Sequence, residues 1–175
     1  MKERTIVIIS ITGLLAGCLL GMAGSVIPSV TFRSLAWATG SVGLILAGAL
    51  LAVFYFRKGY DALAAGFLIY VLAEAIVFSS CATNVDNNIP SFGAGTFLWA
   101  LSIGFLSFQK VFPLLVRLTG IIAATLFAVV SVLIFTGCPL NALAKPFPFY
   151  AYPFFAATLA GWAWTTRKHF CALKA

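Results

Sequence analysis

Six long apolar runs, separated by short polar segments, dominate this chain of 175 residues. A helix needs about 20 apolar residues to cross the hydrocarbon core of a bilayer, and each run has this length or comes close to it. The pattern predicts an all-α fold, a polytopic bundle of six transmembrane helices. The predicted spans are Thr5–Ile27, Ser34–Phe56, Ala62–Ala82, Phe92–Phe108, Pro113–Thr136 and Phe149–Thr166.

The composition also indicates lipid as the solvent. Hydrophobic residues make up 62% of the chain and charged residues only 9%, whereas charged residues are about 25% of a typical soluble domain. The connections between the runs are short, so residues 1–175 are expected to form a single integral membrane domain whose main partner is the lipid bilayer. The net charge of +7 lies almost wholly between the runs, which argues against a nucleic-acid partner.

The basic residues predict an orientation, because Lys and Arg concentrate in cytoplasmic segments. With the N-terminus inside, nine of them lie in cytoplasmic segments and only Arg33 and Lys145 lie outside. The expected topology therefore has both termini in the cytoplasm. A bacterial inner membrane is the expected location. The nine inside residues are Lys2, Arg4, Arg57, Lys58, Lys110, Arg117, Arg167, Lys168 and Lys174.

Small residues form a stripe along the first helix and another along the second. Such stripes let two helix backbones approach closely. A short turn containing Pro28 joins the two helices, so an antiparallel hairpin is expected, with a homo-oligomer or a membrane-protein partner as the alternative use of the stripes. The glycines that mark the stripes are Gly13, Gly17, Gly21, Gly40 and Gly43.

Glu74 is the only acid inside an apolar run. An ionisable side chain at membrane depth is costly and is by default a functional hypothesis. Tyr70 lies one turn earlier, in position to donate a hydrogen bond. Counting ~1.5 Å per residue from Asp61 places Glu74 about 20 Å up the helix, in the outer half of the bilayer. Arg33 or Lys145 could extend down to meet it, so these four residues form a candidate ion or ligand site. The structural alternative is a carboxyl group that hydrogen-bonds two helices together.

The cysteines suggest two further possibilities. Cys81 and Cys138 both fall near the outer face and would form a disulfide in an oxidising compartment if they lie close enough. Cys18 ends a Leu-Ala-Gly-Cys sequence that resembles a bacterial lipobox, and lipidation with cleavage there would leave five spans. The apolar run continues past Cys18, which favours an uninterrupted first span instead.

Several chemistries find no support in the sequence. The single histidine, His169, lies in the basic tail, so neither a histidine-rich metal site nor a bis-histidine haem is expected. The chain has no nucleotide-binding or hydrolase motif. No catalytic residue, cofactor or metal is predicted.

Three function classes remain open. The sequence favours a non-enzymatic structural or accessory membrane subunit, because polar groups are so few. The first alternative is a small transporter or channel component that uses Glu74. The second is a lipid-modifying membrane enzyme that would pair Glu74 with Asp86, and this enzymatic class is the least favoured.

Overall fold

The computed structural model describes residues 3–82, 88–138, 140 and 142–172. These residues form six α-helices. Their bounds are Glu3–Val26 (α1), Val30–Arg57 (α2), Asp61–Ala82 (α3), Ile89–Ser107 (α4), Leu114–Phe135 (α5) and Ala151–Ala172 (α6).

The helix ends follow the sequence chemistry of the connections. Gly59 adopts a φ of 76° in the turn between α2 and α3, and Gly137 adopts 93° just after α5, a conformation that glycine takes without steric cost. Pro90 lies in the first turn of α4, where its missing N–H has no helical partner to lose. For that reason α4 begins three residues before the predicted Phe92. α6 continues beyond the predicted Thr166 because no helix breaker follows it.

The helices form a closed ring. Each helix packs against its neighbours in sequence, and α6 completes the ring by packing against both α5 and α1. Aromatic side chains fill the middle of the ring. The Tyr55 and Phe67 rings stack with their centroids 5.6 Å apart, and Trp162 contacts Phe67 and Tyr70 edge-on at 5.2 and 5.4 Å. Such pairs add directional stability to the area they bury.

Glycine permits a close approach between α1 and α2. A Cβ atom at Gly13 would lie 2.6 Å from the Gly43 carbonyl oxygen, and one at Gly17 would meet the Leu44 side chain and the Gly40 carbonyl. Gly21 differs, because a Cβ atom there would meet no atom within 4 Å. The first two small residues of the α1 stripe therefore lie against α2 of the same chain, and Gly21 faces open space.

The outer surface of the ring is apolar. Leu19 is 71% exposed and Leu115 is 73% exposed, and many other large apolar side chains also point outward. Five helices, α1 to α5, are long and apolar enough to cross a membrane, which indicates a membrane protein. α6 is not among these five, although the sequence predicted a sixth span there. Its last two turns carry Thr165, Thr166 and the basic Arg167–His169, which lower its apolar character.

Candidate functional site

Glu74 lies on α3 and is fully buried inside the ring. Its Oε1 atom accepts two hydrogen bonds, one from the Tyr70 hydroxyl at 2.9 Å and one from the Trp99 indole N–H at 3.0 Å. Tyr70 is placed by the helical repeat, four residues before Glu74 on the same face of α3. Trp99 comes from α4, so the carboxyl group links two neighbouring helices.

The second carboxyl oxygen, Oε2, is different. It is buried and has no hydrogen-bond partner. The Ser41 hydroxyl on α2 lies near the carboxyl group and lines the same cavity, but Oε2 is left without a hydrogen bond. Most buried side-chain oxygens in folded proteins have a partner. Half of the Glu74 hydrogen-bonding capacity is therefore available to something other than this chain's described side chains.

Glu74 lines a cavity of about 60 Å³. On the same scale one water molecule needs roughly 10–15 Å³, so the cavity has room for a few water-sized groups. Its walls come from five helices and the α5–α6 connection. The lining residues are Gly17, Cys18, Gly21, Met22, Trp37, Gly40, Ser41, Leu44, Glu74, Val77, Phe92, Trp99, Ala142, Tyr152, Phe155, Ala156 and Leu159.

The position of the cavity along the bundle follows from these residues. They belong to the end of α1, the start of α2, the second half of α3, and the starts of α4 and α6. The cavity thus lies in the half of the bundle that holds the α1–α2, α3–α4 and α5–α6 connections. The opposite half is packed, with the Tyr55 hydroxyl 3.4 Å from Thr166 Oγ1 and the Tyr55 ring stacked on Phe67.

Aromatic rings form much of the cavity wall, and their polar atoms are fixed to the backbone or to Glu74. The Trp37 indole N–H donates to the Gly21 carbonyl at 3.1 Å. The Tyr152 hydroxyl donates to the Ala142 carbonyl at 2.9 Å and so ties the α5–α6 connection to α6. Trp99 and Phe155 lie with ring centroids 5.0 Å apart. The polar atoms of Trp37, Trp99 and Tyr152 are therefore already hydrogen-bonded within the chain.

The two basic residues named with Glu74 have other partners. The Arg33 guanidinium donates to the backbone carbonyls of Ile27 and Pro28 at 3.1 to 3.2 Å. Lys145 places its ammonium 5.0 Å from the centre of the Phe149 ring. The structure brings Tyr70 to Glu74 and does not bring Arg33 or Lys145 there. Among the described residues that line the cavity, none is basic.

Cys18 lies on the cavity wall. It is half-buried, and its thiol donates to the Ala156 carbonyl of α6 at a sulfur–oxygen distance of 3.7 Å. α1 continues for eight residues beyond it, to Val26. Cleavage before Cys18 would remove Leu14, which is fully buried, and Gly13, which lies against α2. The lipidation hypothesis remains a prediction with that structural consequence.

Two other predictions involve residues for which the structure describes no side chain. Cys138 is exposed, but the side chain of Cys81 lies outside the described residues, so the Cys81–Cys138 disulfide stays a prediction. Asp86, the proposed second acid of an enzyme, also lies outside them. Within the described ranges, no group of three or more His, Cys, Asp and Glu side chains is arranged to hold a metal ion.

Sequence reasoning did not identify Trp99 and Ser41 as neighbours of Glu74, or Cys18 as part of the wall of the same cavity. Ser41 and Trp99 are 33 and 25 residues away along the chain, so no helical spacing relates them to it. One feature of the sequence could have indicated Trp99 as a neighbour of Glu74. Trp99 is a tryptophan in the interior of a predicted span, and a buried indole N–H usually needs an acceptor. An acid in a neighbouring span is the natural candidate.

Comparison with known proteins adds no family to this description: no protein-family model, no curated protein and no solved structure matches the chain.

Proposed function

We propose that the protein is a multi-pass membrane protein with six spans and both termini in the cytoplasm, of the kind found in bacterial inner membranes. The distribution of Lys and Arg supports this orientation, with nine residues on the inner side and two on the outer side. The position of α6 supports the sixth span. α6 packs against α1 and α5, both of which are apolar enough to cross a membrane.

Two native cysteines offer a direct test of the sixth span. Cys138 and Cys171 are both exposed; Cys138 precedes α6 and Cys171 lies in its last turn. If α6 crosses the bilayer, they lie on opposite faces. We expect a membrane-impermeant maleimide to label a variant that retains only Cys138 in intact bacterial cells, and to label one that retains only Cys171 only after lysis. Equal labelling of both variants in intact cells, or of neither, would show that α6 does not cross.

We further propose that this membrane protein is a small transporter or channel component that takes a solute into the Glu74 cavity. One observation carries the proposal: a fully buried carboxyl group lines a cavity and keeps one oxygen without a partner. A group used only to join helices would be expected to have both oxygens paired, because an unpaired buried oxygen costs free energy. With the predicted orientation, the cavity belongs to the outer half of the membrane.

The other two function classes find less support in this geometry. The accessory-subunit hypothesis rests on the scarcity of polar groups, and the glycine stripes that could also serve a partner lie in part against the same chain, because Gly13 and Gly17 face α2. The enzyme hypothesis needs a second catalytic group beside Glu74. Among the described residues that line the cavity, Glu74 is the only carboxylic acid.

The substitution Glu74→Gln tests the transport proposal. Gln keeps a carbonyl oxygen that can accept from Tyr70 and Trp99, and it removes the charge. We expect proteoliposomes with the native chain to show proton or cation flux, followed with an internal pH dye or an ion-selective electrode, and the Gln variant to lose at least ~90% of it, in line with the role of intramembrane acids in ion pathways.

The matched control is Ser131→Ala. Ser131 is a buried polar residue whose hydroxyl lies 2.9 Å from Thr96 Oγ1, and it does not line the cavity. Its Thr96 partner keeps a second hydrogen bond, to the Gly93 carbonyl, so the variant should fold and transport normally. Absence of flux from the native protein, with both variants folded, would contradict the transport proposal and favour an accessory subunit.

A further inference from the structure

The cavity beside Glu74 has a chemistry that favours one class of ligand. Its polar contribution is concentrated in two neighbouring groups, the unpartnered Oε2 of Glu74 and the hydroxyl of Ser41. Both can accept a hydrogen bond. The rest of the described wall is aliphatic or aromatic apart from the Cys18 thiol and the Tyr152 hydroxyl, which already donate to the Ala156 and Ala142 carbonyls. A ligand that fits must therefore offer positive charge and N–H donors at one end and an apolar surface elsewhere.

When the carboxyl group is ionised, its counter-ion has to come from outside the described chain. A carboxylate shielded from water needs a positive partner or a proton. Arg33 and Lys145 are engaged with backbone carbonyls and an aromatic ring. No basic side chain among the described lining residues faces Glu74. The site is thus anionic when the carboxyl group is ionised, and it has no internal counter-ion.

A bare metal ion is a poor match for this lining. Hard cations such as Ca²⁺ and Mg²⁺ take about six or more oxygen ligands. The described side chains supply only the free Glu74 oxygen, Ser41 and the Tyr152 hydroxyl, and Tyr152 already donates to the Ala142 carbonyl. A metal ion would have to keep most of its water shell, and a cavity of about 60 Å³ has room for only a few water-sized groups.

An alkylammonium ion satisfies the same lining with fewer ligands. Its N–H groups can donate to Glu74 Oε2 and Ser41, and its third donor can bind a water molecule. The rings of Trp37, Trp99 and Phe155 line the same cavity, and an aromatic face turned toward a cation stabilises it through the ring quadrupole. A chain of one or two carbons would occupy the aliphatic part of the wall.

We propose that the Glu74 cavity binds a short primary alkylammonium ion, with Glu74 as its counter-ion, Ser41 as the second acceptor and the aromatic wall around its carbon chain. The proposal rests on the proposed function, since it names the solute class of the same site. It differs from a proton pathway because it requires binding that depends on the shape of the cavity as well as on the carboxyl group.

The test measures equilibrium binding of radiolabelled methylammonium and of ethylammonium to the purified full-length protein in detergent. Glu74→Gln should weaken binding at least ~100-fold, and Ser41→Ala about tenfold, as expected for hydrogen bonds to a charged group. Tetramethylammonium, which has no N–H group, should bind more weakly than ethylammonium and should be insensitive to Ser41→Ala.

A second variant keeps the test valid if Glu74→Gln fails to fold. Gly21→Leu places a side chain where a Cβ atom meets no neighbour within 4 Å, and it leaves the carboxyl group in place. It should reduce ethylammonium binding about tenfold or more, because it fills the cavity, whereas Gly21→Ala should have a smaller effect. Ser131→Ala should leave binding unchanged.

Three results would overturn the ligand assignment. In the first, tetramethylammonium or potassium binds as tightly as ethylammonium. In the second, Gly21→Leu does not weaken ethylammonium binding, and in the third, no ammonium ion binds at all. In the last case, proton flux that still depends on Glu74 would leave the transport proposal standing. Loss of both binding and flux would remove both proposals.

Discussion

Gly13→Ala is expected to destabilise the bundle by about 1–3 kcal/mol relative to Gly21→Ala, the range for overpacking a close contact. A Cβ atom at Gly13 would lie 2.6 Å from the Gly43 carbonyl oxygen and 3.0 Å from the Ala47 Cβ atom. The first of these neighbours is backbone and cannot rotate away, so α1 and α2 would have to separate. The measurement is unfolding of the purified protein by SDS, followed by circular dichroism.

Gly21→Ala is the matched control for this prediction. It lies on the same helix, and it gains the same helix propensity of roughly 1 kcal/mol over glycine. A Cβ atom there meets nothing within 4 Å. The difference in unfolding free energy between the two variants therefore measures the cost of the steric clash at Gly13. Equal stability of the two alanine variants would mean that α1 and α2 do not pack at Gly13, and the stripe would then be available for a partner.

The helices were predictable because the bilayer restricts the backbone so strongly. A span in hydrocarbon must satisfy its hydrogen bonds internally, so an apolar run of sufficient length has few alternatives to a helix. The predicted spans agree with α1 to α5 to within a few residues at each end. The closure of the ring by α6 against α1 was not predictable in this way. It depends on contacts between residues more than 100 positions apart, which leave no periodic signal.

The neighbours of Glu74 also differ in whether the sequence could predict them. Tyr70 was predictable because the repeat of a single helix places it beside Glu74, whereas Trp99 and Ser41 reach Glu74 only through packing between helices.

Arg33 was predicted to reach Glu74, but it binds partners that are closer to it along the chain. The carbonyls of Ile27 and Pro28 lie just past the end of α1, where the helix supplies no further donor, and the Arg33 guanidinium donates to both. Binding them costs less reorganisation than reaching into the bundle.

The second large effect is expected at Glu74 itself, in the comparison of two neutral replacements. Glu74→Leu should be less stable than Glu74→Gln by about 2–6 kcal/mol, from ~1–3 kcal/mol for each of two buried donors left without an acceptor. The two donors are the Tyr70 hydroxyl and the Trp99 indole N–H, which both bind Oε1. Both variants lose the charge, so the cost of burying a carboxylate cancels in the comparison. SDS unfolding of the purified variants measures the difference.

Removing the donors should reverse the effect. In the Glu74→Leu background, Tyr70→Phe and Trp99→Phe each remove one unpaired polar group. We expect Tyr70→Phe to recover about 1 kcal/mol, near the lower end of the cost of an unpaired donor. Trp99→Phe should recover less, because the smaller ring leaves space beside Phe127 and Phe155. The same substitutions in the native background should destabilise instead, since they break hydrogen bonds to Glu74.

Two outcomes would show that Glu74 does not hold α3 and α4 together. They are a Glu74→Leu variant as stable as Glu74→Gln, and a Glu74→Leu variant that Tyr70→Phe destabilises further. The carboxyl group would then be retained for its ligand alone.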